Sequence, residues 1–318
     1  MLMPNWPGEA SYHGKLLLTG EYFVLDGVPA LAVPTKLGQK FMFGISTHAS
    51  LIWRSYDVDG SCWFEHLFPR SKTVDFYLEQ ERLRRNDDPA ANRIWQLLRA
   101  VVDLSGQTLE SLTTSRVIES HLEFDRNWGL GSSSTLVAAL AEKFEVNPYE
   151  LLEKTFGGSG YDLACATADG PLIYKRNGTN PTVTPLDWSP DWLNQTYFIY
   201  RNQKQNSREG IEAYRSATIA EADRRRIGQL TQALTHETWH LRAVAQLLQE
   251  HEAIVGRTLN LRPVQEDVFP DFPGQLKSLG AWGGDFIWAL SERDPAEVRR
   301  YFNERGYETV IPYHEMIL

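Results

Sequence analysis

Cysteine is nearly absent: Cys62 and Cys165 are the only two in 318 residues. Their spacing supports neither a disulfide framework nor a cysteine-ligated zinc site. Basic residues are also scarce, 32 Lys and Arg against 41 Asp and Glu, a formal net charge of −9. That balance argues against nucleic acid as a partner, because such binding rests on Lys and Arg neutralising phosphates. No stretch approaches the ~20 apolar residues of a membrane span. The opening MLMPNWPGEASYHGK lacks the basic-then-apolar order of a secretory signal. Low-complexity tracts and internal repeats are missing too. These absences predict a cytoplasmic protein with no membrane and no nucleic-acid partner. What is present is an ordinary globular composition, 42% hydrophobic and 23% charged, in a chain long enough for one large domain or two of ordinary size.

Along the chain, GKLLLTGEYFVLDGVPALAVPT reads as strands broken by Gly20 and by the Asp26-Gly27 turn signal. ANRIWQLLRAVVDLSG changes to helical spacing, with Ile94, Leu97, Leu98 and Val101 on one face. SRVIESHLEF returns to a strand and leads into NWGLGSSSTLVAALAEKF, a Gly/Ser loop before another helical run. NPYELLEKTF predicts a short helix capped by Asn147 with Pro148 in its first turn. The turn-rich stretch NPTVTPLDWSPDW, around 180–193, marks the best domain boundary, dividing 1–185 from 186–318. Beyond it come the strand QTYFIYR, long charged helices over Ser207 to Val255, a Gly-rich segment, the helix AEVRRYFNERG and the strand YETVIPY. Strands followed by helices in each half suggest an α+β fold.

The segment HETWH, His236 to His240, matches the zinc-protease pattern. A catalytic zinc needs a third protein ligand. Glu250, His251 and Glu252 follow on what reads as the same charged helix, and a straight helix cannot fold back to supply one. The two histidines are therefore read as residues of a solvated helix.

Three Gly-centred segments stand in order: HGKLLLTGEY (13–22), GLGSSS (129–134) and LKSLGAWGGDFIWAL (276–290). Between the last two, GGSGYDLACATADGPLIY (157–174) places Asp162 after a Gly-Ser-Gly turn. Each has a structural explanation by itself. Lys15 fits a surface lysine, Asp162 an N-cap, the GLGSSS loop a capped turn and the last cluster a tight hairpin. The GLGSSS loop also fits an anion cradle, since a helix N-terminus offers unpaired amides and the positive end of a dipole. No Gly-Lys-Ser/Thr of the Walker form is present.

Taken together and in this order, the three segments resemble the motifs of the GHMP kinases, from Gly14 to Ala289. GKLLLTGEYFVLDGVPALAV resembles the mevalonate-pathway branch, while GSGYD and GGDF lean toward its phosphomevalonate kinases. The resemblance implies an α+β, two-domain fold: a ribosomal-protein-S5-like N-terminal ATP-binding domain and a ferredoxin-like C-terminal domain. It implies ATP and Mg2+ as cofactors, with Gly129, Leu130, Gly131, Ser132, Ser133 and Ser134 cradling the nucleotide. Ser133 and Glu153 would serve the metal, and Asp162 with Lys15 would act on the acceptor. Lys204, Ser207, Gly283, Gly284 and Asp285 would contact the substrate, with Arg201, Arg208 and Lys36 as further cations for a phosphorylated one.

The implied activity is transfer of the γ-phosphoryl group to a small mevalonate-type acceptor, foremost 5-phosphomevalonate, by a monomer or homodimer. Mevalonate itself is the alternative acceptor. A decarboxylase of the same superfamily and a non-catalytic binding protein on the same fold are the other readings. Four departures from the motifs stand out. Asp125 stands where the middle motif usually has proline, and Ser134 replaces an alanine. Trp282 replaces a glycine, a change expected to crowd the nucleotide loop or reshape the acceptor pocket. Glu153 lies nine residues before Asp162, closer than the metal-binding glutamate of mevalonate kinases.

Overall fold

A computed structural model describes residues 7–70, 81, 88–203, 207–236, 238–282 and 284–318, with the side chains of Ser207, Arg208 and His236 outside the description. Lys204 and Gly283 lie outside it altogether, as does Glu237 of the HETWH segment.

The chain folds as two compact units that interleave in sequence. One comprises the chain up to Gly14 with Leu37–Arg126 and Gly131–Thr167; the other comprises Lys15–Lys36, Asn127–Leu130 and Ala168–Leu318. The turn-rich stretch near 185 falls inside the second unit. The divisions after Gly14 and Lys36 fall within continuous strands, β1 (Gly8–Leu17) and β2 (Ala30–Ile45).

In the first unit, β3 (Leu51–Tyr56) pairs antiparallel with β4 (Cys62–Phe68) and parallel with β5 (Arg116–Leu122). β5 pairs antiparallel with the second half of β2, from Gln39↔Leu122 to Ile45↔Arg116. Helices α1 (Pro89–Ser105), α2 (Leu109–Thr113), α3 (Ser132–Lys143), α4 (Pro148–Thr155) and α5 (Tyr161–Ala166) belong to this unit. Its core joins Phe41, Phe43 and Trp53 from the strands to Trp95, Leu98 and Val101 of α1 and to Val137 and Leu140 of α3. The helix starts are local chemistry. Asp88 accepts the Ala91 amide before Pro89, and Asn147 accepts the amides of Tyr149 and Glu150 around Pro148.

In the second unit, β6 (Leu172–Lys175) pairs with the first half of β2 and with β7 (Thr182–Pro185). A separate antiparallel sheet contains β8 (Thr196–Tyr200), β9 (Gln275–Ser278), β10 (Phe286–Leu290) and β11 (Val310–Pro312), in the order β11-β8-β10-β9. Its helices are α6 (Ser207–Ser216), α7 (Glu221–His236), α8 (Leu241–Leu259), α9 (Val264–Asp267), α10 (Pro295–Asn303) and α11 (Tyr313–Met316). All five residues of β10 are buried, as befits a central strand covered on both faces.

The two-sheet α+β architecture agrees with the expected fold class. The HETWH segment departs from expectation: α7 ends at His236 and α8 begins at Leu241 with an exposed His240 at its N-cap. The motif therefore spans a break between helices, a break that no proline or glycine announces. No described helix is long and apolar enough to cross a membrane.

Candidate functional site

The second unit gathers one residue or more from each of the three Gly-centred segments. The Lys15 amide donates to the Leu130 carbonyl (3.0 Å), and the Lys15 ammonium donates to the Gly129 carbonyl (2.9 Å). Gly129 takes φ +66°, and a Cβ placed on it would lie 2.2 Å from Oδ2 of Asp285. Only glycine allows that backbone and that approach together. The Asp285 carbonyl accepts from the Arg201 amide (3.0 Å). Beside these residues, the half-buried Trp128 ring meets Phe286 edge-on (5.6 Å) and Tyr200 at 6.1 Å.

The first unit holds the rest of the GLGSSS segment. Gly131 is the N-cap of α3 in left-handed conformation, with no side chain to accept the first amides. The amides of Ser134 and Thr135 turn back onto the Gly131 carbonyl (3.0 and 3.1 Å), as does the buried Ser134 hydroxyl (2.7 Å). Ser133 is exposed, and the first turn of α3 contains no acidic residue. The amides of Ser132 and Ser133 lie at the positive end of a three-turn helix, a setting that favours a negative charge.

Helix α3 packs against α5, which carries Asp162 in its first turn. Asp162 Oδ1 accepts from the Leu163 amide (3.2 Å). Burial, and then the negative charge of Asp162, push the Tyr149 hydroxyl up to about 12. Glu153 is exposed on α4. Among the described residues, no group of three or more His, Cys, Asp and Glu is placed to hold a metal ion. A protein cage is not what magnesium requires; one or two protein oxygens plus substrate phosphates suffice. The exposed hydroxyl of Ser133 and the carboxylate of Glu153 are of that kind.

Of the residues expected to contact a substrate, Asp285 is placed as described and Gly284 is buried. Lys204, Gly283 and the Ser207 and Arg208 side chains fall outside the described residues. Exposed Lys36 donates to the His314 carbonyl (2.5 Å).

Trp282 is buried. At φ +42° its ring turns into a buried cluster with Ile254 and Val255, and Nε1 donates to Glu252 (3.1 Å).

The sequence reading also missed a buried charged network. His251 and Glu252 are buried on α8 rather than solvated. Lys277 donates to Glu21 and to the Ser278 carbonyl, and Ser278 Oγ donates to Glu252 (2.9 Å). The Gly20 amide donates to His251 Nε2 (2.9 Å), and burial drives that imidazole well below its ordinary value, so it stays neutral. Burial raises Glu21 and pushes Glu252 up to about 7. Tyr22, next to Glu21, takes φ 62° and ψ −43°, with the Phe23 amide donating to the Glu21 carbonyl (2.7 Å). That is the rare positive-φ γ-turn, a strained conformation of the sort that gathers at functional sites. The available signal was the spacing Leu241, Val244, Leu248, His251, Val255, which puts His251 on the apolar stripe of α8.

No protein-family model matches the chain, and no curated protein matches it by sequence. Solved structures do match. Mevalonate kinase from Methanococcus jannaschii superposes with TM-score 0.67 at 14% identity, over 96% of each chain. Phosphomevalonate kinase from Streptococcus pneumoniae gives TM-score 0.60 at 15% identity, over 96% of this chain and 98% of that one. A mevalonate diphosphate decarboxylase from Legionella pneumophila gives 0.56 at 14%, over 95% and 99%. The chain has the fold that these proteins share, the GHMP kinase fold.

Proposed function

We propose that this chain, carrying the GHMP kinase fold, is an ATP-dependent small-molecule kinase whose acceptor is of the mevalonate type, foremost 5-phosphomevalonate. The observation that carries the reading is the meeting of Lys15, Gly129 and Asp285, one from each Gly-centred segment, in one compact unit. The close approach of Asp285 to Gly129 and the Lys15 hydrogen bond to the Gly129 carbonyl bring a cation, a carboxylate and a glycine turn together.

Phosphoryl transfer asks the protein for positioning and charge stabilisation more than for covalent chemistry. The amides of Ser132 and Ser133 hold nucleotide phosphate oxygens, and the Ser133 hydroxyl with Glu153 offers oxygens to magnesium. When bound, that ion neutralises charge on the phosphates. Lys15 stabilises charge on the acceptor oxygen, and Asp162 orients it or accepts its proton. An acceptor that is already a phosphate needs no strong base, whereas an alcohol depends more on Asp162. Lys204, Ser207, Gly283, Gly284 and Asp285 contact the acceptor.

ATP turnover with 5-phosphomevalonate and with mevalonate tests this reading. We expect Asp162→Asn to lower turnover with mevalonate more than turnover with 5-phosphomevalonate. Lys204→Ala should weaken 5-phosphomevalonate selectively, by about tenfold or more, since one charge-assisted contact contributes roughly 1.5–3 kcal/mol. A preference for mevalonate, untouched by Lys204→Ala, would overturn the acceptor assignment and leave the kinase. The decarboxylase among the structural matches supports a second reading, in which carbon dioxide is released from a 1-carboxyl-labelled diphosphorylated acceptor; no release excludes it.

A further inference from the structure

We propose that Lys277 is a positioning residue, tying Glu21 of the first Gly-centred segment to Glu252 of α8 and so fixing the turn that presents Asp285 to Gly129. This rests on the kinase reading above.

Every link lies in the second unit. Lys277 is the third residue of β9 and fully buried. Its ammonium meets Glu21 Oε1, the Ser278 carbonyl at 2.9 Å and Glu252 Oε1 at 3.9 Å. Glu252 in turn takes one hydrogen bond from Ser278 at the end of β9 and another from Trp282 inside the turn. The turn closes where the Leu279 amide donates to the Phe286 carbonyl (3.1 Å). Asp285 sits one residue before that closure, with its carboxylate against Gly129 and 3.4 Å from the Cβ position of Gly280.

On the other side, Glu21 belongs to the strained γ-turn at Tyr22, and the neighbouring Gly20 amide is held by His251. Two backbone turns with positive φ at a bulky residue, Tyr22 and Trp282, are thus anchored to the same buried ammonium and carboxylates. Burying an ion pair is a poor way to gain stability, since well-packed apolar residues of similar volume commonly do as well or better. Such a network can instead specify one geometry among several. Here the geometry it specifies is the two turns leading to the Lys15–Gly129–Asp285 meeting point. His251 Nε2 also lies 3.4 Å from Glu21 Oε2, so α8 meets the first Gly-centred segment at this residue as well.

The test compares the wild type with a Glu21→Leu/Lys277→Met double variant, which removes this ion pair and leaves Glu252 with its donors Ser278 and Trp282, and without the ammonium that favours its ionised form. Three quantities are read: the thermal midpoint, amide exchange in the turn joining β9 to β10, and steady-state kinetics with ATP and 5-phosphomevalonate. We expect a midpoint close to the wild type, exchange in the turn faster by about tenfold, and kcat lower by about tenfold with KM for ATP changed little. If the double variant does not fold, Ser278→Ala and Trp282→Phe each remove one hydrogen bond to Glu252 and are read the same way, with a smaller effect in the same direction. Unchanged exchange in the turn overturns the proposal. Faster exchange with unchanged kcat also overturns it, leaving a purely structural network. A wild type without ATP turnover brings down the kinase reading and the catalytic consequence with it; exchange then decides only whether the network restrains the turn.

Discussion

The carboxylate of Asp285 lies directly on the α-carbon of Gly129, so close that a methyl group there would stand 2.2 Å from Oδ2. Gly129→Ala therefore suffers twice, from the contact and from a positive φ that costs a non-glycine residue roughly 1–2 kcal/mol. Shortening the partner, Asp285→Ala, removes the contact but not the φ cost. A double-mutant cycle on denaturation midpoints is expected to show coupling of about 1 kcal/mol or more, with the second substitution rescuing part of the first. Additive effects would show that the two residues do not touch.

Asp162 and Tyr149 are coupled electrostatically within the first unit. Burial comes first in raising the Tyr149 hydroxyl to about 12, and the Asp162 carboxylate adds to it. Asp162→Asn removes that second contribution, so the Tyr149 titration moves down toward the ordinary tyrosine range while remaining above it. Carbon-13 labelling of the tyrosine rings and NMR titration of wild type and variant measure the shift. No movement would place the Asp162 carboxylate away from the Tyr149 ring.

The parts of the fold that sequence made legible are those whose cause is local. The start of α4 follows from Asn147 and Pro148, adjacent residues that cap and preset a first turn. The place where α3 starts was legible but its chemistry was not, since the N-cap is Gly131 and no serine side chain caps it. The buried network was not legible, because its cause is distant. Lys277 and Glu21 are 256 positions apart, and neither reveals by itself that the other neutralises it. The same holds for Trp282. Its type suggested an obstruction, but the direction of its ring is set by a positive φ and by the Glu252 acceptor on another helix. The break between α7 and α8 escaped because helical spacing continues through residues that carry no breaker.

The HETWH segment yields a negative expectation. His240 is exposed at the N-cap of α8 and makes no capping hydrogen bond through its side chain. Replacing both His236 and His240 with alanine is expected to leave ATP turnover unchanged, and metal content after chelation unchanged as well. Loss of bound zinc together with activity, measured by elemental analysis and kinetics, would restore the metal reading.

Glu252 gives the stability of the protein a pH dependence whose sign is fixed. Burial, opposed by Lys277 and by hydrogen bonds from Ser278, raises it from 4.5 to about 7. Between those values the unfolded carboxyl is ionised while the folded one keeps its proton. The folded state then binds more protons, and stability falls as pH rises. The contribution is complete below pH 4.5 and lost as pH passes 7, on the order of 3 kcal/mol for a shift of this size. Glu21, raised by burial, acts in the same sense. His251, lowered by burial and by Lys277, acts in the opposite one, its contribution being lost as pH falls. Glu252→Gln keeps a neutral group that still accepts from Trp282, and it removes only the Glu252 share. Urea denaturation at pH 5 and pH 7.5 should therefore show the wild type losing more stability across the interval than the variant does. Equal losses would mean that Glu252 is ionised throughout, with Lys277 and its hydrogen-bond donors outweighing the cost of burial.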